Sequence, residues 1–265
     1  MIDLQLTPQQ AQRFIEQVHP SRVEATAEGL RRFIQSVVEK VPFTNIMMLV
    51  RQRKSPTKEE IIEDMLSLRG GPCGHYNPFM NEILKHLGFD SGLVPAWIQG
   101  DMSHIAIVLY IGEEKWWVDC GNGHPYLSPI RIDSDEIKTH AGLSYRIVHA
   151  NCSRFAVQHR HSEDAEFLTN YEFVLKRVPF SHFDQMVHAH YTNPEFGPFL
   201  NGLRFIRFPE GELLAVRDWT LLKTTAGNLD KKEIKGAAEL QRIIELNFPY
   251  ANYPISEGME ALGWF

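Results

Sequence analysis

The sequence predicts an α+β protein, and three features of its hydrophobic pattern say so. Helical spacing fills the first third, strand-like alternation takes over near Leu93, and helical spacing returns only after Lys231. Elements of one kind thus come in runs instead of alternating as βαβ units. No GxGxxG or GxxxxGK loop occurs, which argues against a Rossmann or P-loop enzyme.

The first helix opens at Thr7-Pro8-Gln9-Gln10, a capping box with proline at the first helical position, and carries Ala11, Phe14, Ile15 and Val18 on one face. A second runs from Val23 to Val41 through Leu30, Phe33, Ile34, Val37 and Val38. A third starts from the Thr57-Lys58-Glu59-Glu60 box and stops at Gly70-Gly71. The next places Met80, Ile83, Leu84 and Leu87 on one face and ends at Gly88. Because Pro78 cannot donate to the Gly74 carbonyl, its regular part is expected to begin with Asn77 as cap.

Residues Ile105 to Ile111, Gly112-Glu113-Glu114 and Lys115 to Val118 read as a β-hairpin, with Trp116 and Trp117 on opposite faces. The segments Tyr145 to Val157, Tyr171 to Val178 and Leu203 to Leu222 read the same way. The middle is therefore a mostly antiparallel sheet or barrel. Lys231 to Leu246 reads as a helix, followed by a tail that ends in Trp264-Phe265.

At 265 residues, 43 % of them hydrophobic, the chain can build a substantial core. Its 27 basic and 33 acidic residues contain no cationic block, so nucleic acid is not an expected partner. No apolar run reaches the ~18 residues a membrane span needs, and the N-terminus lacks a leader-like pattern, so a cytoplasmic protein is expected. The cysteines, Cys73, Cys120 and Cys152, are odd in number and widely spaced, which suits free thiols. The pairs Cys73-x-His75, His159-x-His161 and His188-x-His190 lack the spacing of a zinc site, and no metal is expected.

Cys73 follows Arg69-Gly70-Gly71-Pro72, a sharply turning segment ahead of a helix. A helix start or a nearby imidazolium favours thiolate over thiol, although a lone cysteine there also fits an inert core residue. If Gly112-Glu113 is a two-residue type II′ turn, Ile111 faces Glu114 and Ala106 faces Asp119. His104 then shares a face with Asp119 at the diagonal position, within side-chain reach; a turn longer by one residue would separate them. Asp119 would fix the imidazole, whose other nitrogen would take the Cys73 proton. His104 alone could be structural and Asp119 alone could close a strand, but with Cys73 they form a nucleophile, base and orienter.

Several segments resemble the arylamine N-acetyltransferase family. Arg69-Gly70-Gly71-Pro72-Cys73 is similar to its RGGxC motif, Ser103-His104-Ile105-Ala106-Ile107-Val108 to its THxxLLV strand, and Val118-Asp119-Cys120-Gly121-Asn122-Gly123 to its VDVGFG segment. Weaker similarity extends over Val41-Pro42-Phe43-Thr44-Asn45, Pro198-Phe199-Leu200-Asn201 and Leu214-Ala215-Val216-Arg217-Asp218. The resemblance implies a helical bundle (1–90) carrying the nucleophile, an antiparallel β-barrel (91–190) carrying histidine and aspartate, and an α/β lid (191–265), with a papain-like triad. It also implies acetyl-coenzyme A as co-substrate, a ping-pong reaction through a Cys73 thioester, and an arylamine, hydrazine or hydroxylamine acceptor. Gly74, His75, Asn122, Phe43 and Trp97 are expected at the substrate pocket and Ser103 at the coenzyme. Where the family usually has an aromatic residue and a glutamate after the cysteine and a phenylalanine in VDVGFG, this chain has Gly74, His75 and Asn122, so fewer rings and an unpartnered Arg69 are expected. An amide synthase acting on carrier-bound acyl chains, a cysteine hydrolase and a non-catalytic binding module remain alternatives. The oligomeric state is not legible.

Overall fold

The computed structural model describes residues 4–264. Residues 1–3 of the N-terminal segment and Phe265 of the aromatic tail lie outside the described residues. Helix α1 (Pro8–Val18) forms from the expected capping box: Thr7 Oγ1 accepts from the Gln10 amide at 3.2 Å and Gln10 Oε1 from the Thr7 amide at 2.9 Å. Helix α2 (Ala27–Lys40) starts later than Val23, because the Thr26 side chain accepts from Gly29 and caps it there. After strand β1 (Phe43–Thr44) and the short helix α3 (Ile46–Val50), α4 (Lys58–Leu66) uses the second capping box. It ends ahead of the glycines, where Leu68 turns into left-handed backbone at φ +58°.

Helix α5 (Cys73–His86) corrects the sequence reading: it begins at Cys73, with Pro72 as cap, not at Pro78. The amides of His75 and Tyr76 bond the Pro72 carbonyl at 2.9 and 3.0 Å and close the first turn. Pro78 removes only the bond to Gly74, a loss the buried helix tolerates.

Strands β2 (Asp90–Ile98), β3 (Asp101–Ile111), β4 (Glu114–Val118), β5 (Ile130–Arg131), β6 (Lys138–His140), β7 (Leu143–His149), β8 (Phe155–Arg160) and β9 (Leu168–Phe173) form one antiparallel sheet in the order β5-β4-β3-β2-β9-β8-β7-β6. It curls into a nearly closed barrel around Val94, Ala106, Val108, Trp117, Tyr145, Val157 and Phe173. The opposite face of β3, through Ile105, Ile107 and Leu109, packs on the helices. Ile111 pairs with Glu114 and Ile107 with Val118, the expected register. Gly112 has φ +62° and Glu113 has no positive φ, as a type II′ turn requires. Trp117 points into the barrel and Trp116 out against the helical core. The expected Tyr171–Val178 hairpin is instead one strand that ends at Phe173, after which the Val178 amide returns to the Leu93 carbonyl at 2.9 Å.

Helix α6 (Asp184–Thr192) has no strong periodic signal, since two of its four inward residues are His190 and Tyr191. Strands β10 (Arg204–Arg207), β11 (Leu214–Arg217), β12 (Thr220–Thr225) and β13 (Asn228–Glu233) join β1 in the order β1-β10-β11-β12-β13. Helices α7 (Ala237–Asn247) and α8 (Ile255–Ala261) cover that sheet through Leu240, Ile244, Ile255 and Met259 against Phe205 and Val216. Lys231–Glu233 thus extend a strand and do not begin a helix; Gly236, at φ +108°, makes the break. Strand β1 ties the nucleophile loop to the lid, for Phe43 bridges Gly71 on one side and Ile206 on the other. Among the described residues no helix is long and apolar enough to cross a membrane.

Candidate active site

Cys73 is the first residue of α5 and is 3 % exposed. The turn that presents it depends on glycine: Gly70 has φ +75°, and a Cβ there would lie 1.9 Å from the Pro42 carbonyl oxygen. Across from the sulfur, β3 brings His104 and the end of β4 brings Asp119. The imidazole Nε2 donates to Asp119 Oδ2 at 2.6 Å, which leaves Nδ1 for the Cys73 sulfur, whose proximity helps raise the His104 pKa. The structure therefore brings Cys73, His104 and Asp119 together, with the parity anticipated from the hairpin.

Asp119 is held from four sides. Oδ1 accepts from Asn77 Nδ2 at 2.8 Å and from the Gly121 amide at 3.1 Å; Oδ2 accepts from His104 and from the Tyr171 hydroxyl at 2.7 Å. Tyr171 in turn accepts from Trp117 Nε1 at 2.9 Å, so the polar network reaches into the barrel core. Burial keeps the Tyr171 phenol protonated, as a donor to Asp119 must be. Asn77 also donates to the Ile105 carbonyl at 2.6 Å and accepts from the Cys120 amide at 3.2 Å, joining α5 to both strands. The sequence reading missed Asn77 and Tyr171. For Asn77 there was a signal: it stands four residues after Cys73, one helical turn on.

Burial opposes charge on His104, but the Asp119 carboxylate and the bonds to Asp119 and Cys73 outweigh it and raise its pKa to about 10. The imidazole is therefore charged at neutral pH. Burial pushes the Cys120 thiol up, which keeps it an inert neutral group, and Cys152 lies exposed on a surface turn.

The cavity above Cys73 measures about 1010 Å³ and lies between the barrel mouth and the lid. Of the expected pocket residues, Phe43 and Asn122 line it and Gly74, His75 and Trp97 do not; Ser103, expected at the coenzyme, also lines it. Gly74 and His75 rotate away from the cavity with the helix. Gly74 meets Val187, and His75 is buried with Nε2 3.4 Å from Asp64 Oδ2 and the Tyr191 hydroxyl 3.2 Å from its ring. Burial lowers the pKa of His75 more than Asp64 raises it, and Arg51, 2.7 Å from Asp64, supplies the countercharge. Arg69 is not unpartnered, since it lies 3.5 Å from Asp64. Trp97 follows a bulge after Ala96 and stacks outward under Arg154 at 4.5 Å.

Asn122 Oδ1 accepts from His124 Nδ1 at 2.6 Å and from Asn170 Nδ2 at 3.1 Å, a polar wall in which burial, helped by His159, pushes the His124 pKa down to about 4. Rings reach the cavity from elsewhere: Phe196 and Phe199 come from a loop without periodic signal, with Phe199 5.9 Å from Phe43. Ser103 Oγ donates to the Asp101 carbonyl at 3.2 Å. Among the described residues no group of three or more histidine, cysteine or acidic side chains could hold a metal ion.

A model of the N-acetyltransferase family matches residues 26–250. The chain belongs to the arylamine N-acetyltransferase family. Among its relatives, YvcN of Bacillus subtilis (strain 168), an uncharacterized acetyltransferase, is 24 % identical over 216 residues, 76 % of this chain and 83 % of the relative. The arylamine N-acetyltransferase from Salmonella typhimurium superposes with TM-score 0.86 at 19 % identity, covering 97 % of this chain and 98 % of that one. The Mycobacterium marinum enzyme, solved in complex with CoA, superposes with TM-score 0.80 at 15 % identity, covering 95 % and 98 %. Arylamine N-acetyltransferases are enzymes, and membership implies acetyl transfer.

Proposed function

We propose that this chain moves an acetyl group from acetyl-coenzyme A through a thioester on Cys73 to an arylamine, hydrazine or hydroxylamine, by a ping-pong mechanism. The observation that carries this reading is buried Cys73 beside His104, which Asp119 holds at 2.6 Å, with sulfur and imidazole both lining a large cavity. Similarity to a relative solved with CoA supports coenzyme A as the carrier.

In the first half-reaction the proton resides on His104 and Cys73 attacks the thioester carbonyl as a thiolate. Collapse expels the coenzyme thiolate, which takes the His104 proton. The imidazole, now neutral and still fixed by Asp119, accepts a proton from the amine as its nitrogen attacks the acyl carbon, and Cys73 leaves. Residues 1–90 then supply the nucleophile, 91–190 the base and its orienter, and 191–265 the wall that keeps water from the thioester. Phe43, Phe196 and Phe199 offer faces to a flat acceptor, while Asn122 and His124 ask it for polar partners.

The test is release of free coenzyme thiol from acetyl-coenzyme A with and without an aromatic amine. Transfer predicts a single-turnover burst without amine and sustained release with it. Sustained release that ignores the amine would identify a hydrolase instead.

A further inference from the structure

Two arginines on the lid wall take no part in the chemistry above. Arg204 opens β10 and Arg217 closes β11, and they are direct partners in the antiparallel register. Their side chains therefore rise from one face of the lid sheet, and both line the cavity. Like charges opposite one another across a strand pair destabilise it. The conflict is sharpest at Arg204, which is half-buried. Its Nε is buried without a hydrogen-bond partner among the described residues, and burial followed by the Arg217 charge lowers its pKa from the usual guanidinium value.

Among the described residues no side chain supplies an answering ion pair. Asp218 exerts an opposing pull on Arg204, but its Oδ1 is taken by the Leu203 amide at 2.9 Å. Asp101 and Glu195, the carboxylates lining the cavity, pair with neither arginine. Arg51, the buried arginine behind the nucleophile, shows the contrast, since it sits on Asp64 at 2.7 Å.

The pair also stands in register with the nucleophile. Gly71 bridges Phe43, Phe43 pairs with Ile206, and Arg204 is two residues along the same face. Two strand spacings and one two-residue step put Arg204 on the order of 10–15 Å from the Cys73 turn, the distance of a remote substrate group from the reacting carbon, and Arg217 stands one strand further on. We propose that Arg204 and Arg217 form an anion clamp for the carboxylate or phosphate of a substrate whose reacting end lies at Cys73. Paired guanidinium forks match either group. The inference rests on the transfer reading for where the reacting end lies. The anion has two possible sources, the phosphates of the donor or an acidic substituent on the acceptor.

Calorimetric titration of the full chain separates the sources. The probes are adenosine 3′,5′-bisphosphate, 4-aminobenzoate and neutral aniline, added to wild type, R204Q, R217Q and the double variant; R217Q, at an exposed position, guards against a folding defect. The clamp predicts about tenfold or greater loss of affinity for at least one anion in the double variant, a partial loss in R217Q, and unchanged aniline binding. Loss for the bisphosphate assigns the donor and loss for aminobenzoate the acceptor. Unchanged anion affinities, a parallel loss for aniline, or no anion binding to wild type would overturn it. Acetylation of Cys73 by neutral p-nitrophenyl acetate, followed in the same variants, keeps the two readings apart. Acetylation without anion discrimination rejects the clamp alone, and anion discrimination without acetylation rejects the transfer reading alone.

Discussion

Asp119 has both oxygens fully engaged, by Asn77, Gly121, His104 and Tyr171, so it is held in one position and presents a charge to one nitrogen of the imidazole. In Asp119→Asn an amide replaces that charge, and its nitrogen would have to face a donor. We expect acetyl transfer to fall on the order of 10³–10⁴-fold while the circular dichroism spectrum stays native. A fall of only a few fold would mean that the carboxylate does not orient the base. Cys73, His104 and Asp119 stood out in the sequence because each sits in a short contiguous motif and two share a hairpin whose parity can be counted. Tyr171 could not be seen that way: its bond to Asp119 spans 52 positions and no local pattern encodes it. His75 shows the limit from the other side, since nearness to the nucleophile in sequence became burial behind it.

Helix α5 and the Asp119 turn meet at Gly121, where a Cβ would stand 2.9 Å from Cys73 Cα and 3.0 Å from Asn77 Nδ2. Gly121→Ala should therefore push the nucleophile from its base. Transfer activity is expected to drop at least about tenfold with a stability loss of about 1–3 kcal/mol by urea unfolding, whereas wild-type activity would show that the contact relaxes harmlessly. At this scale the capped helices and the β3–β4 hairpin were legible, because capping boxes and a glycine-first turn are local chemistry. The start of α5 was not, since Pro78 marks a boundary on propensity alone and tertiary packing overrides it. Helix α6 carries no sequence signal because it turns His190 and Tyr191 inward, and the Lys231–Glu233 end of β13 reads as helix because its residues are all exposed and carry no alternation.

Over the whole molecule, buried histidines of opposite tendency set the dependence of stability on pH. Burial pushes His124 and His190 down to about 4, while His104 is raised to about 10 against burial by Asp119 and Cys73. Between about pH 6.5 and 4 the unfolded chain binds protons that folded His124 and His190 refuse, so stability falls as the solution is acidified. Between about 6.5 and 10 the folded chain keeps a His104 proton that the unfolded chain releases, so stability falls as pH rises. Urea midpoints should therefore peak near pH 6.5, with a shallower alkaline limb in Asp119→Asn; a midpoint still climbing at pH 9 would contradict this. The cavity draws on all three regions through Cys73, His104 and Arg204. Its ring-lined wall was the least legible part, because a ring such as Phe196 arrives on a loop whose position only the fold determines.

The most direct measurement is peptide mapping by mass spectrometry of protein incubated with acetyl-coenzyme A in the absence of amine. The account predicts one acetyl group, on the peptide containing Cys73, absent in Cys73→Ala and discharged when an aromatic amine is added. An unmodified Cys73, or an acetyl adduct that persists in Cys73→Ala, would contradict it.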